Sequence, residues 1–240
     1  MCFRVAGVDR SRMPSREEIN RLYREAVARE EINNPREDVL FFDTLQPDVI
    51  HFNTTRIVMK DATDAEQLTQ AELEVREQCW EMFNFLKKYV SGFENAYFQV
   101  SASQIGVRES RRIVGRYILT KEDVLGGRKF DDSICYCAYN IDIHNPSGTG
   151  TVLEPLAEGD YYGIPYRSLL PLNVDNLLVA GRPISSTHEA HSSLRIMPTC
   201  TAMGQAAGTA AALAIKDEVL PYQVDAMKLR TQLRIDGAIR

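Results

Sequence analysis

The stretch from Asp175 to Ile215, DNLLVAGRPISSTHEAHSSLRIMPTCTAMGQAAGTAAALAI, constrains this chain more than any other. It opens on Leu177, Leu178, Val179 and Ala180, an apolar run without alternation that stops at Gly181. Such a run suits a strand buried on both faces of a largely parallel sheet. A polar loop carrying His188, Glu189 and His191 follows. Pro198 then opens a helix of small residues that runs to about Ile215; proline at the first helical position sacrifices no hydrogen bond, because that N–H has no partner inside the helix. The free N–H groups of Thr199, Cys200 and Thr201 are expected to point out of the helix end, with the positive end of its dipole. Gly204 and Gly208, four apart, clear one face for the close approach of a sheet or a flat ligand. The pattern is a strand, a loop and an anion-friendly helix start.

The chain's 240 residues suffice for one large domain or two small ones with a real core. A net charge of −5, with no Lys/Arg-rich run, argues against a nucleic-acid partner, since neutralising phosphates takes a basic excess. The five cysteines, at 2, 79, 135, 137 and 200, lack framework spacing and read as reduced thiols of a cytoplasmic protein. No stretch reads as a signal peptide or a membrane span. The nearest, 198–215, is interrupted by Gln205 and too rich in Ala and Gly to hold in a bilayer.

Before that stretch, helices alternate with strands. Cys2–Val8 reads as a strand. Ser15 and Glu18 form a capping box ahead of an amphipathic helix to about Glu31. Val39–Leu45 and Val49–Met59 read as strands. Thr69 and Glu72 form a second capping box, opening a helix whose broad apolar face includes Cys79, Met82, Phe83 and Leu86, with Gly92 suited to its C-terminal cap. Trp80 reads as core on this face. Tyr97–Ile105, Arg111–Leu119 and Ile134–Ile143 read as strands, with a capped turn at Thr120–Leu125 and a turn-rich loop at His144–Gly148. Tyr161–Tyr166 reads as extended. A last amphipathic helix carries Ala226, Leu229 and Leu233 on one face.

The segment VDNLLVAGRPISSTHEAHSSLRIMPTCTAMGQAAGTAAALA resembles the C-terminal flavin-contacting part of a family of FAD-dependent oxidoreductases, two-domain flavoproteins distantly related to fumarate reductases. GVRESRRIVGRYILTKEDVLGGRKFDD, IDIHNPSG and IPYRSLLP extend the resemblance over nearly the whole chain. The resemblance implies an α+β / α/β fold. A mixed-sheet substrate (cap) domain with flanking helices, residues 1–165, precedes a strand–helix unit, residues 166–240, that completes an FAD-binding Rossmann-like domain. It implies FAD as cofactor and hydride transfer from an organic substrate to the flavin. The G-x-G-x-x-G turn that grips the FAD pyrophosphate in this class is not in the sequence. Its nearest match, Gly148-Thr149-Gly150, lacks the third glycine. The chain therefore reads as the C-terminal portion of a longer enzyme, holding FAD weakly or not at all alone and needing an N-terminal FAD-binding region in cis or trans. The alternative is a non-catalytic fragment or partner subunit of a separate FAD-binding polypeptide.

The resemblance also distributes roles. Pro198, Thr199, Cys200 and Thr201 would stabilise negative charge on the reduced flavin's N1–C2=O edge through backbone dipoles, beside Gly181 and Gly204. Arg182 stands where many relatives carry an acidic residue; it either approaches the diphosphate or pairs at the surface. His188 is the candidate for proton transfer, with His191 behind it; two histidines with Glu189 between them make no metal site without a further ligand. Arg108, Arg111, Arg112 and Arg116 form the densest basic cluster, suited to a small anionic substrate, or else to pairing with Glu109, Glu122 and Asp123. His144, Tyr166 and Arg167 are weaker candidates of the same kind. Cys135 and Cys137 read as core thiols.

Overall fold

Phe3 and Val5 point inward from β1 (Phe3–Ala6), the strand around which the N-terminal unit is built. The computed structural model describes residues 1–145 and 150–238. Pro146 and Ser147, and with them Gly148 and Thr149 of the near match to a glycine-rich turn, lie outside the described residues, as do residues 239 and 240. The chain divides into two compact units, residues 1–107 with 144–150, and residues 108–143 with 151–240.

In the first unit, α1 (Arg16–Ala28) follows β1, and the Ser15 hydroxyl caps it by accepting from the Glu18 N–H at 3.2 Å. The Glu18 carboxylate turns to Arg21 at 2.6 Å. β2 (Phe41–Asp43) and β3 (Ile50–Phe52) are shorter than the sequence suggests. Beyond Phe52 the backbone leaves the ladder: Asn34 Nδ2 donates to the Thr54 carbonyl at 2.7 Å. α2 (Ala65–Tyr89) starts before Thr69, because Asp64 caps it by accepting from the N–H groups of Glu66 and Gln67 at 2.9 and 3.0 Å. Thr69 instead donates back to the Ala65 carbonyl at 2.7 Å, so the second capping box does not form. α2 closes on Val90, and Gly92 makes the following turn at φ +89°. A Cβ there would lie 2.5 Å from the Asp9 carbonyl oxygen.

β4 (Tyr97–Ser101) completes a four-stranded sheet, ordered β2-β3-β1-β4. Its pairings are all antiparallel, where a mixed sheet was expected. The core is aromatic: Phe3 stacks on Phe52 at 5.1 Å, and Phe93, Ile19, Met82 and Leu86 fill in around them. Trp80 does not join that core. It stacks on Phe98 of the edge strand β4 at 4.8 Å, and 53% of it remains exposed.

In the second unit, the Arg111–Leu119 strand does not form. Its N–H groups go singly to scattered carbonyls, Ile113 to Pro183, Arg116 to Leu170 and Leu119 to Ser185, leaving only isolated bridges. α3 (Lys121–Leu125) carries a true capping box between Thr120 and Asp123. The alternating segment 134–143 divides into β5 (Ser133–Cys137) and β6 (Ile141–His144), and between them the Ser193 hydroxyl takes the Tyr139 carbonyl at 2.5 Å. β6 pairs with β7 (Thr151–Glu154), and β5 pairs antiparallel with β8 (Tyr162–Pro165). Cys135 and Cys137 are buried on β5.

The Leu177–Ala180 run is not a strand. It belongs to no helix or strand, with Leu177 44% exposed, and the Val179 N–H anchors it on the Leu169 carbonyl at 2.9 Å. No neighbouring strand among the described residues offers it a ladder, so an apolar sequence alone does not make it sheet. The expected loop after it is instead α4 (His188–Leu194), capped by Thr187. α5 (Met197–Lys216) and α6 (Ala226–Ile235) follow, with Met203, Ala206, Leu229 and Leu233 in a core shared with Leu119, Ile134 and Tyr162. The fold is mixed α and β, with six α-helices among the described residues. None of these helices is long and apolar enough to cross a membrane.

Candidate functional site

Thr187 starts α4 by accepting from the Ala190 N–H at 3.3 Å, which puts His188 at the first helical position and His191 one turn on, facing inward. The segment after residue 107 runs close by, fixed by the Ile113 N–H on the Pro183 carbonyl. Glu109 on that segment is the centre of the site. Its Oε2 lies 2.7 Å from His188 Nδ1 and 3.6 Å from His191 Nδ1, and its Oε1 accepts from Arg112. The His188 side chain is 42% exposed, whereas that of His191 is 1% exposed and neither of its ring nitrogens has a hydrogen-bond partner among the described residues. Burial holds the His191 imidazole well below the usual histidine range, with Arg195 and Arg112 adding to the effect; the Glu109 charge and the Arg182 backbone, which stops short of a hydrogen bond, pull the other way.

The arginines do not converge on one pocket. Arg112 is engaged by Glu109. Arg116 reaches Asp175 at 3.4 Å and lies over the Tyr222 ring at 4.3 Å. Arg108 and Arg111 are exposed. Burial, with Asp142, raises the Tyr139 phenol, and the positive charges of Arg108 and Arg195 oppose it, so Arg108 lies near Tyr139. Arg167 is held by Asp132 at 2.9 Å, and Tyr166 is buried with its hydroxyl on the Pro221 carbonyl at 2.7 Å, which leaves both engaged in structure. The His144 side chain lies outside the description.

The start of α5 differs in detail from the sequence reading. Met197, not Pro198, is the first helical residue, and Ile196 gives no side-chain cap. The Cys200 N–H is already spent on the Ile196 carbonyl at 3.0 Å, and the Thr201 hydroxyl donates to the Met197 carbonyl at 2.9 Å. Within the helix the N–H groups of Ile196, Met197 and Thr199 have no partner, and Pro198 has no N–H. Thr199 is buried; Met197 and Pro198 are exposed. Burial raises the Cys200 thiol, so it is no ready nucleophile. Gly204 and Gly208 face open space, as does Gly181, which sits at φ +84° next to exposed Arg182. An uncapped helix start beside an open small-residue face fits one edge of a flat, anion-bearing ring system such as a flavin. Among the described residues no three His, Cys, Asp or Glu side chains group to hold a metal ion.

Glu109 is the residue that sequence reasoning placed least well, as a mere partner for nearby arginines. Its one local signal is the three-residue spacing to Arg112; the contact with His188 spans 79 residues and leaves no trace in the sequence. Residues 1–233 match the family model described as FAD dependent oxidoreductase. No curated protein and no solved structure matches the chain.

Proposed function

The chain belongs to the FAD dependent oxidoreductase family, and from that premise we propose that it forms the C-terminal, substrate-side part of such an enzyme, in which a hydride passes from an organic substrate to the flavin. The observation that carries this reading is the uncapped start of α5 beside the open ground at Gly181 and Gly204. Met197 and Thr199 would hold the flavin edge with their spare N–H groups, framed by Pro198, Cys200 and Thr201, and Arg182 would serve the anionic part of the cofactor. When bound, FAD supplies the two-electron acceptor. His188 takes up the proton the substrate loses, and Arg108 orients an anionic group on that substrate. Leu177–Ala180 and α5 would complete a Rossmann-like FAD-binding domain whose glycine-rich turn comes from polypeptide outside this sequence, in cis or in trans. In this reading residues 1–165 serve as the cap and 166–240 as the flavin side. The five free cysteines suit a reducing, cytoplasmic compartment.

That the Leu177–Ala180 run joins no sheet among the described residues also favours a second reading, a non-catalytic subunit that lends surface to a separate FAD-binding chain. One experiment separates the two. The chain is purified alone and together with a G-x-G-x-x-G-bearing region, flavin absorbance is recorded, and candidate organic donors are added. The proposal expects a colourless chain alone and a yellow complex that a donor bleaches. A yellow chain alone would place the pyrophosphate site within these residues. A yellow complex that retains its catalytic competence when His188 is replaced by Ala would favour the subunit reading.

A further inference from the structure

We infer that Glu109 is the positioning residue of His188, and that Arg112 serves Glu109 and not the substrate. A carboxylate has only acceptor atoms, so at 2.7 Å from Glu109 Oε2 the neutral His188 ring must carry its proton on Nδ1. Its lone pair then lies on Nε2. That nitrogen belongs to a ring 42% exposed, at the outer end of a helix that Thr187 has fixed in place. A proton taken up there uses the Nε2 lone pair and leaves the Nδ1–H on Glu109 in place, so the carboxylate selects the tautomer and fixes the ring while the transfer takes place at the other nitrogen.

Arg112 holds Glu109 in the position this requires. It holds Oε1 while His188 holds Oε2, and with Glu109 21% exposed and Arg112 25% exposed the carboxylate is gripped from both ends out of full contact with water. With its charge offset by Glu109, this guanidinium attracts a substrate anion less strongly than an unpaired arginine would. His191 forms the inner wall. It is fully buried and rests 3.6 Å from Oε2, too far for a hydrogen bond, so it does not compete with His188 for the oxygen. Its two nitrogens, without a hydrogen-bond partner among the described residues, are a penalty that a simple core position would avoid with an apolar residue.

The inference rests on the reading of His188 as proton acceptor, and its test has a part that needs no flavin. Imidazole 15N spectra of the full chain are recorded at about pH 8.5, some two units above the ordinary histidine value, with His188 assigned by its loss in His188→Asn. The expected result is a protonated Nδ1 and a pyridine-type Nε2. Glu109→Ala should shift His188 toward the Nε2–H form that a free histidine side chain prefers, while Glu109→Gln, which keeps an acceptor oxygen, retains Nδ1–H. An Nε2–H form in the unaltered chain, or no shift in a folded Glu109→Ala, would overturn the inference; the first outcome is decisive even where the alanine variant fails to fold. In the flavin-loaded complex, Glu109→Ala should lower kcat by about 10²- to 10⁴-fold with KM nearly unchanged. Unchanged turnover overturns the positioning role and leaves the flavin reading intact. A complex that no donor bleaches sinks the flavin reading, with the nitrogen spectra still deciding the geometry.

Discussion

Glu109 and Arg112, three residues apart, are joined through the carboxylate oxygen that His188 leaves free. Arg112→Lys is therefore expected to act on turnover: kcat falls by roughly tenfold and KM moves little, because a point charge cannot reproduce the guanidinium's grip on Glu109. Were Arg112 a substrate anchor, KM would rise instead. Steady-state kinetics of the flavin-loaded complex distinguish the two patterns.

His191 predicts both a stability change and its pH dependence. Its folded-state value is depressed by burial, so above about pH 6.5 the ring is neutral whether the chain is folded or not. Below that, the unfolded chain binds a proton that the folded chain refuses, and stability declines as pH falls from 6.5 toward the lower folded value. His191→Met, similar in volume and without unpartnered nitrogens, should raise stability by about 1 kcal/mol at neutral pH and flatten this acid-side decline. Urea titrations at several pH values between 5 and 8 give the answer, and a Met variant with unaltered pH dependence would contradict it.

Gly92 and Gly181 both sit at positive φ, but their surroundings differ. At Gly92 a side chain meets backbone, with the Asp9 carbonyl oxygen 2.5 Å from any Cβ; at Gly181 it meets nothing within 4 Å. Gly92→Ala should cost about 2–3 kcal/mol and Gly181→Ala about 1 kcal/mol. Equal losses in thermal or denaturant unfolding would show that the Asp9 contact does not matter.

Trp80 is the sole tryptophan and more than half of it faces solvent. Trp80→Ala should cost about 1–2 kcal/mol, well under the 3–5 kcal/mol expected for Phe52→Ala in the fully buried stack. Native fluorescence is correspondingly expected to be quenched by iodide, and resistance to quenching would place the indole deeper than its stacking on Phe98 implies.

Elements with a complete local signal were legible in the sequence. The Ser15 cap, the Thr120–Asp123 capping box, the central strand at Phe3 and the Leu229/Leu233 face of α6 all depend on residues within a turn or two of each other. The start of α2 was misread because Asp64 and Thr69 both offer a cap and only the packing chooses between them. α4 was invisible as a helix because HEAHSSL is short and carries no apolar period; its cap, Thr187, was the one clue. The family was legible from the long ordered segment at 174–214, and the family match over residues 1–233 agrees. The Glu109–His188 contact was not, since it is made by two remote segments that each look like solvated surface on their own.

That Leu177–Ala180 joins no sheet among the described residues has a consequence for handling the protein. An apolar segment outside any sheet is a template for strand addition by a second molecule, and exposed Leu172, Val174 and Leu177 lie on the same stretch. Purified alone, the chain should self-associate as its concentration rises, and Leu177→Lys should keep it dispersed.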